Sequence, residues 1–182
     1  MFFAVVSLLT SENSPAFSDL WNRLGRIFRL YGVEPVEMPH VSWHVSPVYD
    51  MEQLEYALKT RGEEIQPVHA RISGLGIFTG KKPVLYLPVV RSPSVHDLHL
   101  TLWKEISPFS FRQELNYSPD EWIPHITLNR KVISCDLGGI LQELCSLDLR
   151  SEIYLDNFAI MYRDDNHDGI GNIFPFSKEK FV

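Results

Sequence analysis

What this chain has little of narrows the field first. Two cysteines in 182 residues, Cys135 and Cys145, are too few for a disulfide framework or a zinc site, and they fit a reducing, cytoplasmic setting. No run approaches the roughly 20 apolar residues that span a bilayer, so no membrane partner is expected. The apolar opening, Met1 to Leu9, lacks a basic flank and a small-residue cleavage site, and reads as a first strand rather than a signal peptide. Positive charge is short as well: 17 Lys and Arg stand against 23 Asp and Glu, a formal net charge of −6. Holding long nucleic acid by phosphate neutralisation needs a concentrated basic face, so no extended nucleic-acid surface is expected. Short clusters at Lys81-Lys82, Arg91 and Arg130-Lys131 leave room for a small phosphate ester or an RNA end. No stretch has the composition of a linker, and this length suits one compact unit around one core, expected as a monomer.

What is present is a repeated five-residue pattern. Pro39-His40-Val41-Ser42-Trp43 returns as Pro124-His125-Ile126-Thr127-Leu128. β-Branched and bulky residues favour extended chain and Pro suits a strand's first residue, so each copy reads as a strand start. Side chains alternate along a strand, which places His40 with Ser42 on one face, and His125 with Thr127 on another.

The surrounding elements repeat in the same register. Phe2 to Leu9 reads as a strand buried on both faces. Ser14-Pro15 caps a helix whose apolar positions run from Phe17 to Phe28, with Gly32 as its stop. The motif strand spans about Met38 to Ser46. Asp50 and Gln53 resemble a capping box for a helix ending at Gly62, and Val68 to Ile72 alternates as a strand. Gly80 to Pro83 turns into a strand over Val84 to Val90; Ser92-Pro93 then caps a helix halted by Pro108. Phe109 to Glu121 reads as a loop. After the second motif comes a helix over Asp136 to Leu144, then strands over Ile153 to Tyr162 and Ile170 to Phe176. The offsets agree: 125 − 40, 136 − 51 and 153 − 68 are all 85. This is the trace of an internal duplication, and it predicts two pseudo-symmetric lobes whose Pro-His strands face each other across a cleft.

Context separates the histidines. His99 sits in a helix-period segment, where Thr101 cannot share its face, and reads as a surface or partly packed imidazole. His44 falls on the face of His40 and Ser42 and is expected to border the cleft. A metal shared by His40 and His44 is not expected, because four strand residues separate them by about 13 Å. Two imidazoles on opposite walls suit hydrolysis of a cyclic phosphate: one takes the proton of the attacking water, the other protonates the leaving oxygen. Ser42 and Thr127 would donate to the non-bridging oxygens, and no metal or other cofactor is needed.

The doubled motif and element order resemble the two-histidine phosphoesterase superfamily, in its 2′-5′ RNA ligase and cyclic phosphodiesterase (LigT-like) branch, over most of the chain. The resemblance implies a bilobal α+β fold. It would be a single domain over 1–182 with halves near 1–80 and 81–182, each an antiparallel sheet with outer helices. It implies hydrolysis of 2′,3′-cyclic phosphates of nucleotides or RNA ends by His40, Ser42, His125 and Thr127, or joining of 2′-5′ RNA linkages. A module that binds phosphorylated ends without turnover is the alternative of a different class. Arg130, five residues after His125, stands where that branch often carries a basic residue; to reach the site it needs the strand to end or bulge first, and a solvated turn arginine is the alternative. Trp122 and His44 complete the candidate substrate contacts, Trp122 by stacking a base, with core packing as its equal alternative. Ser42 stands where the family usually has Thr.

Overall fold

The computed structural model describes residues 2–81, 83–129, 137–163 and 168–177. Four helices and eleven strands follow in the order β1 (Phe2–Leu8), α1 (Pro15–Leu30), β2 (His40–Ser46), β3 (Val48–Tyr49), α2 (Met51–Glu64), β4 (Val68–Ile72), β5 (Gly76–Phe78), β6 (Val84–Pro88), α3 (Pro93–Ile106), β7 (Ser110–Phe111), β8 (His125–Asn129), α4 (Leu137–Cys145), β9 (Ser151–Leu155), β10 (Asn157–Arg163) and β11 (Asp168–Pro175). The architecture is α+β. Among the described residues, no helix is long and apolar enough to cross a membrane.

Seven strands form one sheet in the order β11-β10-β1-β2-β8-β6-β5, with antiparallel neighbours throughout; β3 pairs with β7, and β4 with β9. The two Pro-His strands were expected to face each other across a gap. They are instead hydrogen-bonded neighbours, joined at Val41↔Ile126. Those two residues are 85 apart, so the pseudo-twofold of the repeat runs through their pairing.

One face of the sheet is buried under the helices. Val41, Trp43, Ile126, Leu128, Phe158 and Ile160 pack there with Phe17, Leu24 and Phe28 of α1, Leu54 and Leu58 of α2, Leu102 of α3 and Ile140 of α4. Each such fully buried side chain contributes about 1.5–3 kcal/mol relative to exposure. The opposite face carries only a small cluster, Val6, Leu8, Ala159 and Met161. That face is where the polar motif residues emerge.

The duplication extends to irregularities that the sequence does not announce. Val6 pairs with Ser42 and Val5 with His44, so Trp43 is an extra residue in β2. Tyr86 pairs with Thr127 and Leu85 with Asn129, so Leu128 is an extra residue in β8. The two bulges are 85 residues apart (128 − 43), against partners 80 apart (85 − 5).

Several local expectations change. Ser14 precedes the helix but makes no cap bond to it; its hydroxyl accepts from Tyr154 N at 3.0 Å. Asp50 and Ser92 do cap, accepting from Gln53 N and Val95 N. Gly62 does not end α2. A Cβ there would stand 2.9 Å from the Pro175 carbonyl oxygen, so glycine lets β11 approach the helix. The segment read as one strand from Ile153 to Tyr162 is two, β9 and β10, in different sheets. The segment read as a loop, Phe109 to Glu121, contains β7 and a 3-10 turn at Leu115–Tyr117.

Candidate active site

Continuing the Val41↔Ile126 register by one residue each way sets His40 opposite Thr127 and Ser42 opposite His125. Because Val41 and Ile126 are wholly buried on the helix side, alternation sends all four motif side chains to the open face. The two histidines are diagonal neighbours there, with Cα atoms on the order of 7–8 Å apart. A cavity of about 520 Å³ is lined by His40, Ser42, His125 and Thr127 together. These residues come from halves of the chain 85 positions apart and meet because β2 and β8 share an edge.

Both rings are held alike. His40 Nδ1 lies 2.6 Å from the Met38 carbonyl oxygen, and His125 Nδ1 lies 2.7 Å from that of Ile123. In each copy the intervening proline carbonyl, of Pro39 or Pro124, accepts from the neighbouring strand, at Leu9 N and Val89 N. The carbonyl one residue earlier is left for the ring. A carbonyl only accepts, so each Nδ1 carries the proton, and Nε2 is the nitrogen that gains or loses one. The two imidazoles thus share one tautomer, each stands opposite a hydroxyl, and each has Nε2 as its exchangeable nitrogen.

The ring environments differ. His40 is 5% exposed, whereas His125 is more open. Phe78 and Tyr86 stand edge-on to His125, at 4.9 and 5.3 Å between centroids. Gly76, opposite Tyr86 in the ladder, makes room for its ring: a Cβ would meet Tyr86 Cζ at 2.3 Å.

Two candidate substrate contacts fall elsewhere. His44 does not border the cleft. The extra residue at Trp43 reverses the alternation, so Trp43 and His44 are both fully buried on the helix side. There His44 Nδ1 accepts from the Tyr49 hydroxyl at 2.6 Å, Nε2 donates to Gln113 Oε1 at 3.3 Å, and Trp103 packs on the ring. Burial removes the solvent that would stabilise its charge and lowers its pKa to about 4. A metal site shared with His40 is thus excluded by direction as well as distance. Among the described residues, no group of three His, Cys, Asp or Glu is placed to hold a metal ion.

Trp122 lines the cavity but is only 2% exposed, and its indole stacks on His99 at 3.8 Å. That face is occupied, so Trp122 is core packing rather than a base-stacking platform. Its Nε1 donates to the Ser42 carbonyl oxygen at 3.0 Å. His99, expected at a surface or partly packed, is fully buried; its Nε2 reaches the Trp43 and Tyr117 carbonyl oxygens at 3.1 and 3.0 Å. Desolvation lowers its pKa to about 4, against the pull of those two bonds. Together the two rings satisfy the carbonyls of Ser42 and Trp43, one on either side of the point where β2 leaves its regular ladder.

Arg130 lies outside the described residues. The structure adds residues the motif did not point to: Phe78 and Tyr86 around His125, Tyr117, and Arg163, all but Tyr86 lining the main cavity. The aromatic and Gly positions of β5 and β6 carry no sequence mark tying them to the site. In sequence Arg163 adjoins Asp164 and Asp165 and reads as part of that polar stretch.

The fold has counterparts among solved structures. A crystal structure from Thermus thermophilus, that of TT0787, superposes with a TM-score of 0.64 over 99% of this chain and all of that one, at 17% identity. E. coli LigT complexed with NADP+ gives 0.58 over 97% of each chain at 14% identity, and LigT complexed with 3′-AMP gives 0.56. A Bacillus cytotoxicus protein named as a phosphoesterase is 24% identical over 131 residues, 70% of this chain and 72% of that one. The family model of the 2′-5′ RNA ligase superfamily matches residues 12–167, both histidine motifs included. This chain therefore belongs to the 2′-5′ RNA ligase superfamily.

Proposed function

We propose that this protein is a metal-independent phosphoesterase that opens 2′,3′-cyclic phosphates of nucleotides or RNA ends. The observation that carries the reading is the matched pair of imidazoles, each with Nδ1 held by the carbonyl two residues earlier and a hydroxyl across the strand. One neutral Nε2 removes a proton from water as it attacks phosphorus. The other, as Nε2–H, gives its proton to the departing ribose oxygen on the far side. The ring bond breaks, a monoester forms, and the pair ends with its protonation reversed, to be reset by exchange with solvent. Ser42 and Thr127 donate to the non-bridging oxygens, where negative charge concentrates. Complexes of LigT with NADP+ and 3′-AMP support a nucleotide as ligand.

Arg130 is proposed as a further phosphate contact. That role needs the motif strand to end or bulge first, and the extra residue at Leu128 in β8 supports it.

The test is release of 2′- or 3′-phosphate from nucleoside 2′,3′-cyclic phosphates with EDTA present. Wild type should turn over undiminished by the chelator. His40→Ala and His125→Ala should each lose at least about 100-fold, the low end of general acid–base catalysis. Binding of cyclic nucleotides without turnover would replace this reading with a recognition module for phosphorylated ends.

A further inference from the structure

The catalytic cavity is not the only one on the open face. A second, of about 280 Å³, is lined in part by His40, Ser42, Tyr117 and Arg163, which also line the first. Its remaining wall is largely apolar, with Phe2, Phe3, Ala4 and Met161. Among the described residues lining the two cavities, Arg163 is the one Lys or Arg.

The ladder fixes how far Arg163 stands from the chemistry. It pairs with Phe2 on β1, whereas Ser42 pairs with Val6. Four residues along the strand give about 13 Å and two strand spacings about 10 Å, so the two Cα atoms are roughly 16 Å apart. Arg163 thus stands across the smaller cavity from the reacting phosphorus rather than upon it. Its guanidinium is fixed: Nε and Nη2 donate to Oδ1 and Oδ2 of Asp168, its ladder partner on β11. That takes two of its five N–H donors. With the arginine side chain 41% exposed, the ion pair adds little to stability. Its effect is to hold a planar donor fork at the cavity wall, the geometry that matches a phosphate. Glu114 and Glu121, the acidic groups lining the two cavities, repel phosphate from the rest of the walls and suit base amino groups.

We propose that Arg163 binds a second phosphate, one nucleoside away from the reacting one, with the apolar cavity between them taking that nucleoside. The preferred substrate is then an RNA 3′ end or a 5′-phosphorylated nucleotide, and not a simple nucleoside cyclic phosphate. This rests on the phosphoesterase reading above for its turnover arm only.

Three substrates test it: a nucleoside 2′,3′-cyclic phosphate, its 5′-phosphorylated form, and a dinucleotide ending in the cyclic phosphate. Wild type should favour the last two by about 10-fold in kcat/KM, the scale of one charge-assisted contact. Arg163→Gln should abolish that preference, bringing kcat/KM for the last two substrates down to that for the first. Arg163→Lys, which keeps charge but loses the fork, should retain part of it. A preference for the dinucleotide but not the 5′-phosphorylated form would identify the RNA strand as the source of the phosphate; equal preference would identify the phosphate alone. Equal rates on all three, or an equal loss on all three in Arg163→Gln, overturn the proposal. Calorimetric binding of a nucleoside 3′-phosphate against its 3′,5′-bisphosphate repeats the comparison without turnover. If hydrolysis is absent but wild type prefers the bisphosphate and Arg163→Gln does not, the hydrolase reading fails and the subsite stands. If wild type binds both alike, the subsite fails.

Discussion

At the scale of single residues, the site depends on where two nitrogens and two hydroxyls point. Ser42→Ala and Thr127→Ala should each slow turnover by about 10- to 1000-fold while leaving the fold intact, since each removes one donor to a charge-building oxygen; steady-state kinetics on the cyclic substrate reads this. His44 and His99 make a different prediction. Both are buried neutral, with pKa lowered to about 4, while an unfolded histidine titrates near 6.5. Between these values the unfolded chain binds the extra protons, so stability present above about pH 7 is lost as pH falls, by on the order of 3 kcal/mol per histidine by pH 4. Urea midpoints should drop between pH 7 and pH 5, and His99→Gln should lessen the drop. His40, Ser42, His125 and Thr127 were legible because they recur in one register. His44 was not, because a bulge is invisible in alternating sequence and one extra residue reverses the face of everything after it.

At the scale of elements, β2 and β8 carry the four candidate catalytic side chains, and each contains one bulged residue. In β2, the carbonyls flanking that bend are taken by Trp122 and His99. Trp122→Phe keeps the stacking area but leaves the Ser42 carbonyl without that donor, which should cost about 1–3 kcal/mol and lower turnover by displacing Ser42; thermal unfolding and kinetics on one sample check both. Most helices were readable from period and caps, as at Asp50 and Ser92. The split of β9 from β10 was not. Asp156-Asn157 is a local break in a run that otherwise suits extended chain, but two strand-disfavouring residues do not say that the chain changes sheet there. The three-residue β5 was too short to show a period. Its role is tertiary: Gly76 and Phe78 shape the wall beside His125.

At the scale of the whole molecule, duplication does what neither half can do alone. Each half supplies one imidazole and one hydroxyl, and the four meet at one cavity because the two strands adjoin; on the proposed reading the imidazoles are its acid and base. The family resemblance implied an α+β fold, and the repeat in sequence announced equivalent strands. It could not say that those strands pair directly, because offsets of 85 specify equivalence and not distance. The central claim is that one imidazole must be neutral and the other protonated in the same active molecule. The most direct measurement is kcat/KM for a 2′,3′-cyclic nucleotide across about pH 4.5–9, in wild type and in the two alanine variants. The account predicts a bell with two limbs in wild type and collapse of the whole profile in both His40→Ala and His125→Ala. A profile that is flat or has a single limb, or full activity in either variant, would contradict it.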